Sequence, residues 1–147
     1  MASTNSIPTL LPITPEARSS ARAERIPITS FPFRVGREGR FGLVQGHVVS
    51  MERRNTDASP SNELYLLDHE EFLNISREHF QIDRKPDGSY EVIDRGSTCG
   101  TIVDNVAGGG HGKPTHLPLR HGSVIRVGTP SSPYVFRFDA ESGTPSA

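Results

Sequence analysis

Along most of the chain apolar and polar residues alternate in short runs broken by turn residues, the period-two pattern of strands rather than the 3.6 period of helices. Phe80–Arg84 and Tyr90–Asp94 alternate on either side of Lys85-Pro86-Asp87-Gly88-Ser89, and that turn chemistry predicts a β-hairpin. Leu64-Tyr65-Leu66-Leu67 is nearly continuous and reads as a buried strand. Thr101-Ile102-Val103 begins another strand. Leu117 and Leu119 alternate with Pro118 and Arg120, and Val124–Val127 and Tyr134–Phe138 close the series. Upstream, Thr9–Thr14 is expected as a first strand at a sheet edge, because Pro12 cannot donate to a ladder. Pro15–Glu24 is read as a loop and Arg25–Val35 as one extended run punctuated by Pro27 and Pro32. Between them and Leu64, one arrangement is a hairpin pairing His47–Met51 with Glu63–Leu67. Ala107–Pro114 is expected as a glycine-rich loop. Many short strands without a long helix indicate an all-β sandwich.

Composition narrows this. At 147 residues the chain suits one domain, and 33% hydrophobic residues with 14 Gly and 12 Pro imply a small core served by long loops. The expected division is a disordered N-terminus over 1–8, a domain over 9–138 with an insertion at about 39–62, and a disordered tail over 139–147. A net charge of −1 supplies no global field for nucleic acid or anionic membrane, so any anion site must be local. Cys99 is the only cysteine, which excludes an intrachain disulfide and a cysteine metal cluster. With neither a signal peptide nor a membrane span legible, the sequence is read as cytoplasmic.

Three candidate chemistries fail on their own terms. Ala107-Gly108-Gly109-Gly110-His111-Gly112-Lys113-Pro114 mimics a P-loop, but Ala107 and Pro114 stand where a glycine and a hydroxyl residue belong, and no helix follows. Cys99 with His79 as base would need a lowered thiol pKa and hydrogen-bond reach, and the sequence shows neither. His111, His116 and His121 match no ligand spacing. What stands out instead are two polar turns between alternating runs, Ile75-Ser76-Arg77-Glu78-His79 and Gly96-Ser97-Thr98-Cys99-Gly100-Thr101. Rich in hydroxyl, backbone N–H and guanidinium donors, they can face one anion from opposite sides. Thr56, two residues after Arg54, is a further candidate, as a self-recognition phosphosite.

Taken in order, Gly36-Arg37, Leu64-Tyr65-Leu66, Ile75-Ser76-Arg77-Glu78-His79, Tyr90 to Asp94, Gly96 to Thr101 and Leu119 to Gly128 resemble the forkhead-associated (FHA) domain, from about Ile26 to Phe138. The resemblance implies a β-sandwich of about eleven strands whose apical loops bind phosphothreonine peptides. It implies a binding module recruited to the product of a Ser/Thr protein kinase, with no enzymatic activity and no cofactor or metal. The alternative is a phosphate-independent interaction scaffold with a decayed site. By the same resemblance Arg37 and Ser76 contact phosphate, Arg77 assists, and Thr98 and Cys99 face the peptide. Gly36, His79, Gly100, Thr101, Asp104 and Asn105 support the site, Gly36 through its backbone freedom. Two positions depart from the family pattern: Cys99 stands where Asn is common, and Asp104 where Asn is usual. A thiol is the poorer hydrogen-bonding group.

Overall fold

The computed structural model describes residues 7–38, 41–44, 47–50, 62–69, 73–110 and 114–140. Eleven strands form two sheets. The first contains β1 (Thr9–Pro12), β2 (Ile26–Pro27), β9 (Thr101–Val103), β10 (Val106–Gly108), β12 (Val124–Val127) and β13 (Val135–Asp139), in the order β10-β9-β12-β13-β1-β2. The second contains β3 (Phe33–Arg37), β6 (Leu64–Leu66), β7 (Phe80–Arg84), β8 (Tyr90–Arg95) and β11 (Pro114–Leu119), in the order β11-β8-β7-β3-β6. A separate hairpin joins β4 (Phe41–Val44) to β5 (His47–Ser50). The expected all-β sandwich of about eleven strands is the fold observed.

Alternation explains the layering. Val35, Phe80, Ile82, Val92, Leu117 and Leu119 of the second sheet face Leu10, Val103, Ile125, Val127, Phe136 and Phe138 of the first in one buried core. The predicted hairpin forms as Phe80–Arg84 pairs with Tyr90–Asp94 around a five-residue connection. Asp104 and Asn105, both at positive φ (50° and 70°), make the two-residue turn between β9 and β10, the conformation such hairpins require.

Elsewhere the structure corrects the sequence reading. Pro15–Ala21 is a helix, α1, rather than a loop. The Thr14 side chain caps it by accepting from Ala17 N, Pro15 starts it, and Ala17 and Ala21, four residues apart, both bury against the sandwich. The N-terminal segment is therefore part of the domain, and Pro8 O accepts from Ile28 N at 2.7 Å.

Strand β1 is internal, between β13 and β2. Ile13 N donates to Val135 O, so the nitrogen of Pro12 faces the other side, where β2 has already ended. The proline does sit at an open edge, but a local one.

His47 pairs with Val44, not with residues near Leu67, and Leu64–Leu66 lies parallel to Val35–Arg37. Glu63 fixes that register by accepting from Arg34 N, at 2.7 Å, and from the Arg34 guanidinium. The Arg25–Val35 run splits between the two sheets, as β2 and β3. The two ends of the glycine-rich segment are likewise not loop, since Ala107 and Gly108 pair with β9 and Pro114 opens β11. Within the inferred insertion, residues 51–61 and the candidate phosphosite Thr56 lie outside the described residues, as does His111.

Candidate functional site

Three stretches meet at one end of the sandwich: the end of β3, residues 73–79, and the turn from Gly96 to Gly100. Each turn is knitted by one carboxylate. Asp94, fully buried, accepts from Gly96 N (2.9 Å) and Ser97 N (2.8 Å) with one oxygen, and from the Ser97 (2.6 Å) and Thr101 (2.7 Å) hydroxyls with the other. Asp68 accepts from Asn74 N (2.6 Å) and Ile75 N (2.8 Å), while its second oxygen accepts from the Tyr134 hydroxyl at 3.1 Å. Unpaired donors in so short a turn would each cost about 1–3 kcal/mol, so these carboxylates hold the loop shapes.

Buried His79 couples the two turns. Its Nδ1 accepts from Ser76 N at 2.9 Å and its Nε2 lies 2.7 Å from Gly100 O. That pattern requires a neutral ring protonated on Nε2. Burial favours the same state and holds the imidazole below its ordinary pKa of 6.5, despite the opposing Gly100 carbonyl and Asp94. With both nitrogens engaged, His79 has none to serve Cys99 as a base. The Cys99 thiol donates instead to Leu73 O at 3.4 Å. A second link runs from Thr98 N to Ser76 Oγ at 3.0 Å, which leaves the serine O–H to donate outward.

Arg37 follows the inward parity of Phe33 and Val35 and emerges where the core ends. Its guanidinium donates to Ile75 O at 2.6 Å, and its own N–H to Ser76 O at 2.9 Å. Behind it, Arg22 at the end of α1 is ion-paired to the buried Glu38. Gly36 is needed for a reason other than the one expected. It is not among the positive-φ glycines, but a β-carbon there would fall 1.9 Å from Arg77 O. Close approach of the 76–78 turn, not backbone freedom, demands glycine.

The result is a polar pocket of about 600 Å³ lined by Arg37, Ser76, Arg77 and Thr98, together with Asn62, Tyr65, Glu78, Arg95 and Gly96. Four expected site residues are thus gathered from three distant segments. Cys99 is not among the lining residues. Gly100 and Thr101 lie beneath, as partners of His79 and Asp94. Asp104 and Asn105 are at the far end of β9, where Asp104 accepts from the Ser123 hydroxyl (2.7 Å) and Val124 N (2.9 Å) and touches nothing in the pocket.

Sequence reasoning missed Asn62 and Arg95. Asn62, 4% exposed, donates to Arg77 O (2.9 Å) and accepts from the Arg95 guanidinium (2.7 Å), while its N–H donates to the Tyr65 hydroxyl (3.2 Å). Their signal was faint: Arg95 falls between the two stretches singled out, Tyr90–Asp94 and Gly96–Thr101, and Asn62, just before β6, falls in none of them. Among the described residues no group of three or more His, Cys, Asp or Glu side chains is placed to hold a metal, and no helix is long and apolar enough to cross a membrane.

Fold and site together define a β-sandwich that offers a donor-rich pocket at the tips of its loops. The family model of the FHA domain matches residues 53–128, just over half of the chain, and the protein belongs to that family. FHA domains are in general phosphothreonine-binding protein-interaction modules. The chain is similar to the solved FHA domain of an Arabidopsis thaliana hypothetical protein, with 21% identity over 100% of this chain and 98% of that one and a TM-score of 0.56. It is also similar to an engineered FHA domain with a Myc-pTBD peptide (16% identity, 94% of both chains, TM-score 0.58). A third likeness is the kinase-interacting FHA domain of the kinase associated protein phosphatase KAPP in Arabidopsis (20% identity, 97% of this chain and 100% of that one, TM-score 0.53). At these identities the likeness speaks for the fold. No curated protein sequence matches the chain.

Proposed function

We propose that this protein is a phosphothreonine-peptide-binding signalling module, recruited in the cytoplasm to a partner that a Ser/Thr protein kinase has phosphorylated. The observation that carries this reading is the convergence of Arg37, Ser76, Arg77 and Thr98 on one open pocket. A phosphate ester brings nearly two negative charges and three strong acceptor oxygens. The Arg37 guanidinium, held at the rim by Ile75 O, meets them with a planar fork of donors. Ser76 donates its hydroxyl proton from a position set by Thr98 N and His79. Arg77, exposed beside it, adds a second cation, and Thr98 faces the peptide backbone near the phosphorylated residue. Charge-assisted bonds contribute about 1.5–3 kcal/mol each, so two or three sustain micromolar affinity without help from Cys99.

The test is a titration of a phosphothreonine peptide library against wild type and Arg37→Ala. The reading expects binding that disappears on dephosphorylation and falls at least about tenfold in Arg37→Ala. Equal binding of phosphorylated and unmodified peptides would favour the phosphate-independent scaffold instead.

A further inference from the structure

Among the described residues, three that are not glycine take a positive φ: Arg22, Asp104 and Asn105. Asp104 and Asn105 form a hairpin turn of the kind that favours such residues. Arg22 does not belong to that class. It closes α1 in the left-handed conformation (φ 58°, ψ 34°), with its N–H on Arg18 O at 2.8 Å, a position that glycine fills without penalty. A long side chain is kept in this conformation by what it reaches.

It reaches the residue beside the phosphate-facing arginine. The Arg22 guanidinium is ion-paired to Glu38 and donates to Tyr65 O at 3.4 Å. Glu38 directly follows Arg37 and is 7% exposed, and among the described residues its carboxylate has Arg22 as its one partner. Asp68 and Asp94, the carboxylates inside the apical turns, are instead each held by several N–H and O–H donors.

Charge makes that difference matter. The side chains lining the pocket, three arginines and Glu78, sum to two positive charges, which a phosphate dianion matches. Glu38 is outside the lining but adjacent to Arg37 in the chain. A buried carboxylate stripped of its counter-ion repels an incoming dianion with little screening from water.

We propose that Arg22 is a positioning residue of the phosphate site, cancelling Glu38 so that Arg37 keeps its full field for the phosphothreonine dianion. The N-terminal helix and its cap thereby take part in recognition, although none of residues 15–22 lines the pocket. This inference rests on the phosphothreonine reading above.

The test is fluorescence anisotropy with the phosphothreonine peptide that binds most tightly in the library titration, against Arg22→Gln, Glu38→Gln and the double variant. The Arg22 side chain is 45% exposed, so Arg22→Gln removes charge more than packing. It is expected to weaken binding about three- to tenfold. Glu38→Gln and the double variant, which leave no uncancelled carboxylate, are expected to bind within about twofold of wild type. Loss of a merely structural contact would not be repaired by removing its partner as well. A double variant no tighter than Arg22→Gln would overturn the inference, as would wild-type affinity in Arg22→Gln, and either result leaves the phosphothreonine reading standing. Should Arg22→Gln fail to fold by circular dichroism, Arg22→Lys, which keeps the charge, is expected to bind within about threefold of wild type, and a larger loss would overturn the inference. If wild type binds no phosphopeptide, both readings fall together.

Discussion

Gly36 and His79 show how much of the pocket depends on single atoms. At position 36 even a methyl group would overlap the Arg77 carbonyl, so Gly36→Ala must push the 76–78 turn away from β3. The expected cost is about 1–3 kcal/mol in chemical denaturation, with weaker phosphopeptide binding as the turn moves. An unchanged denaturation midpoint would contradict the close approach. For His79 the sign follows from its partners. The folded state prefers the neutral ring, whose Nδ1 accepts from Ser76 N, so its pKa is depressed from 6.5. Its contribution to stability is complete above 6.5 and is lost as pH falls below it towards the folded pKa. An NMR titration of the His79 ring should give a midpoint below 6.5, and a midpoint at or above it would refute the assignment. The histidine's supporting role was legible only through the family resemblance of Ser76-Arg77-Glu78-His79. The reason for Gly36 was not, because a close contact with a residue 41 positions away leaves no local mark.

At the scale of elements, the two apical turns are only as good as the carboxylates inside them. Asp94 satisfies four donors within seven residues, so Asp94→Ala should cost about 3 kcal/mol or more in thermal unfolding. Loosening of Ser97–Gly100 should go with it, read as faster amide exchange there; exchange confined to other loops would argue against this role. Elements with strong local signals were readable in the chain: the β7–β8 hairpin from its Pro-Asp-Gly turn, and β12 and β13 from alternation. Those that were not depend on tertiary pairing. Leu64–Leu66 has an ordinary strand sequence, and its parallel partner β3 is chosen by the Glu63–Arg34 contact across the intervening segment. Helix α1 carried its signals in Thr14, Pro15 and the two alanines, but at seven residues it is stabilised by packing rather than propensity. Asp68 escaped notice because it bonds to backbone N–H groups six and seven residues on, a span no local motif reports.

For the whole molecule, the sandwich has to close before the pocket exists, and the N-terminal strand closes it. Leu10 is fully buried, with β1 bonded to β13 on one side and β2 on the other. Leu10→Ala should therefore destabilise the entire domain by about 2–5 kcal/mol, in a single transition rather than a local one. A loss below about 1 kcal/mol would mean that the segment merely leans on the core. The same geometry sets two ends apart, the Arg37–Ser76–Thr98 pocket at one and the Asp104–Asn105 turn at the other. Amide NMR of the labelled protein during titration with a phosphothreonine peptide reads both ends at once. The expected result is saturable shifts at Arg37, Ser76, Arg77, Gly96 and Thr98 with the Asp104–Asn105 turn unmoved. Shifts centred on that turn, or equal shifts from the unphosphorylated peptide, would contradict the account.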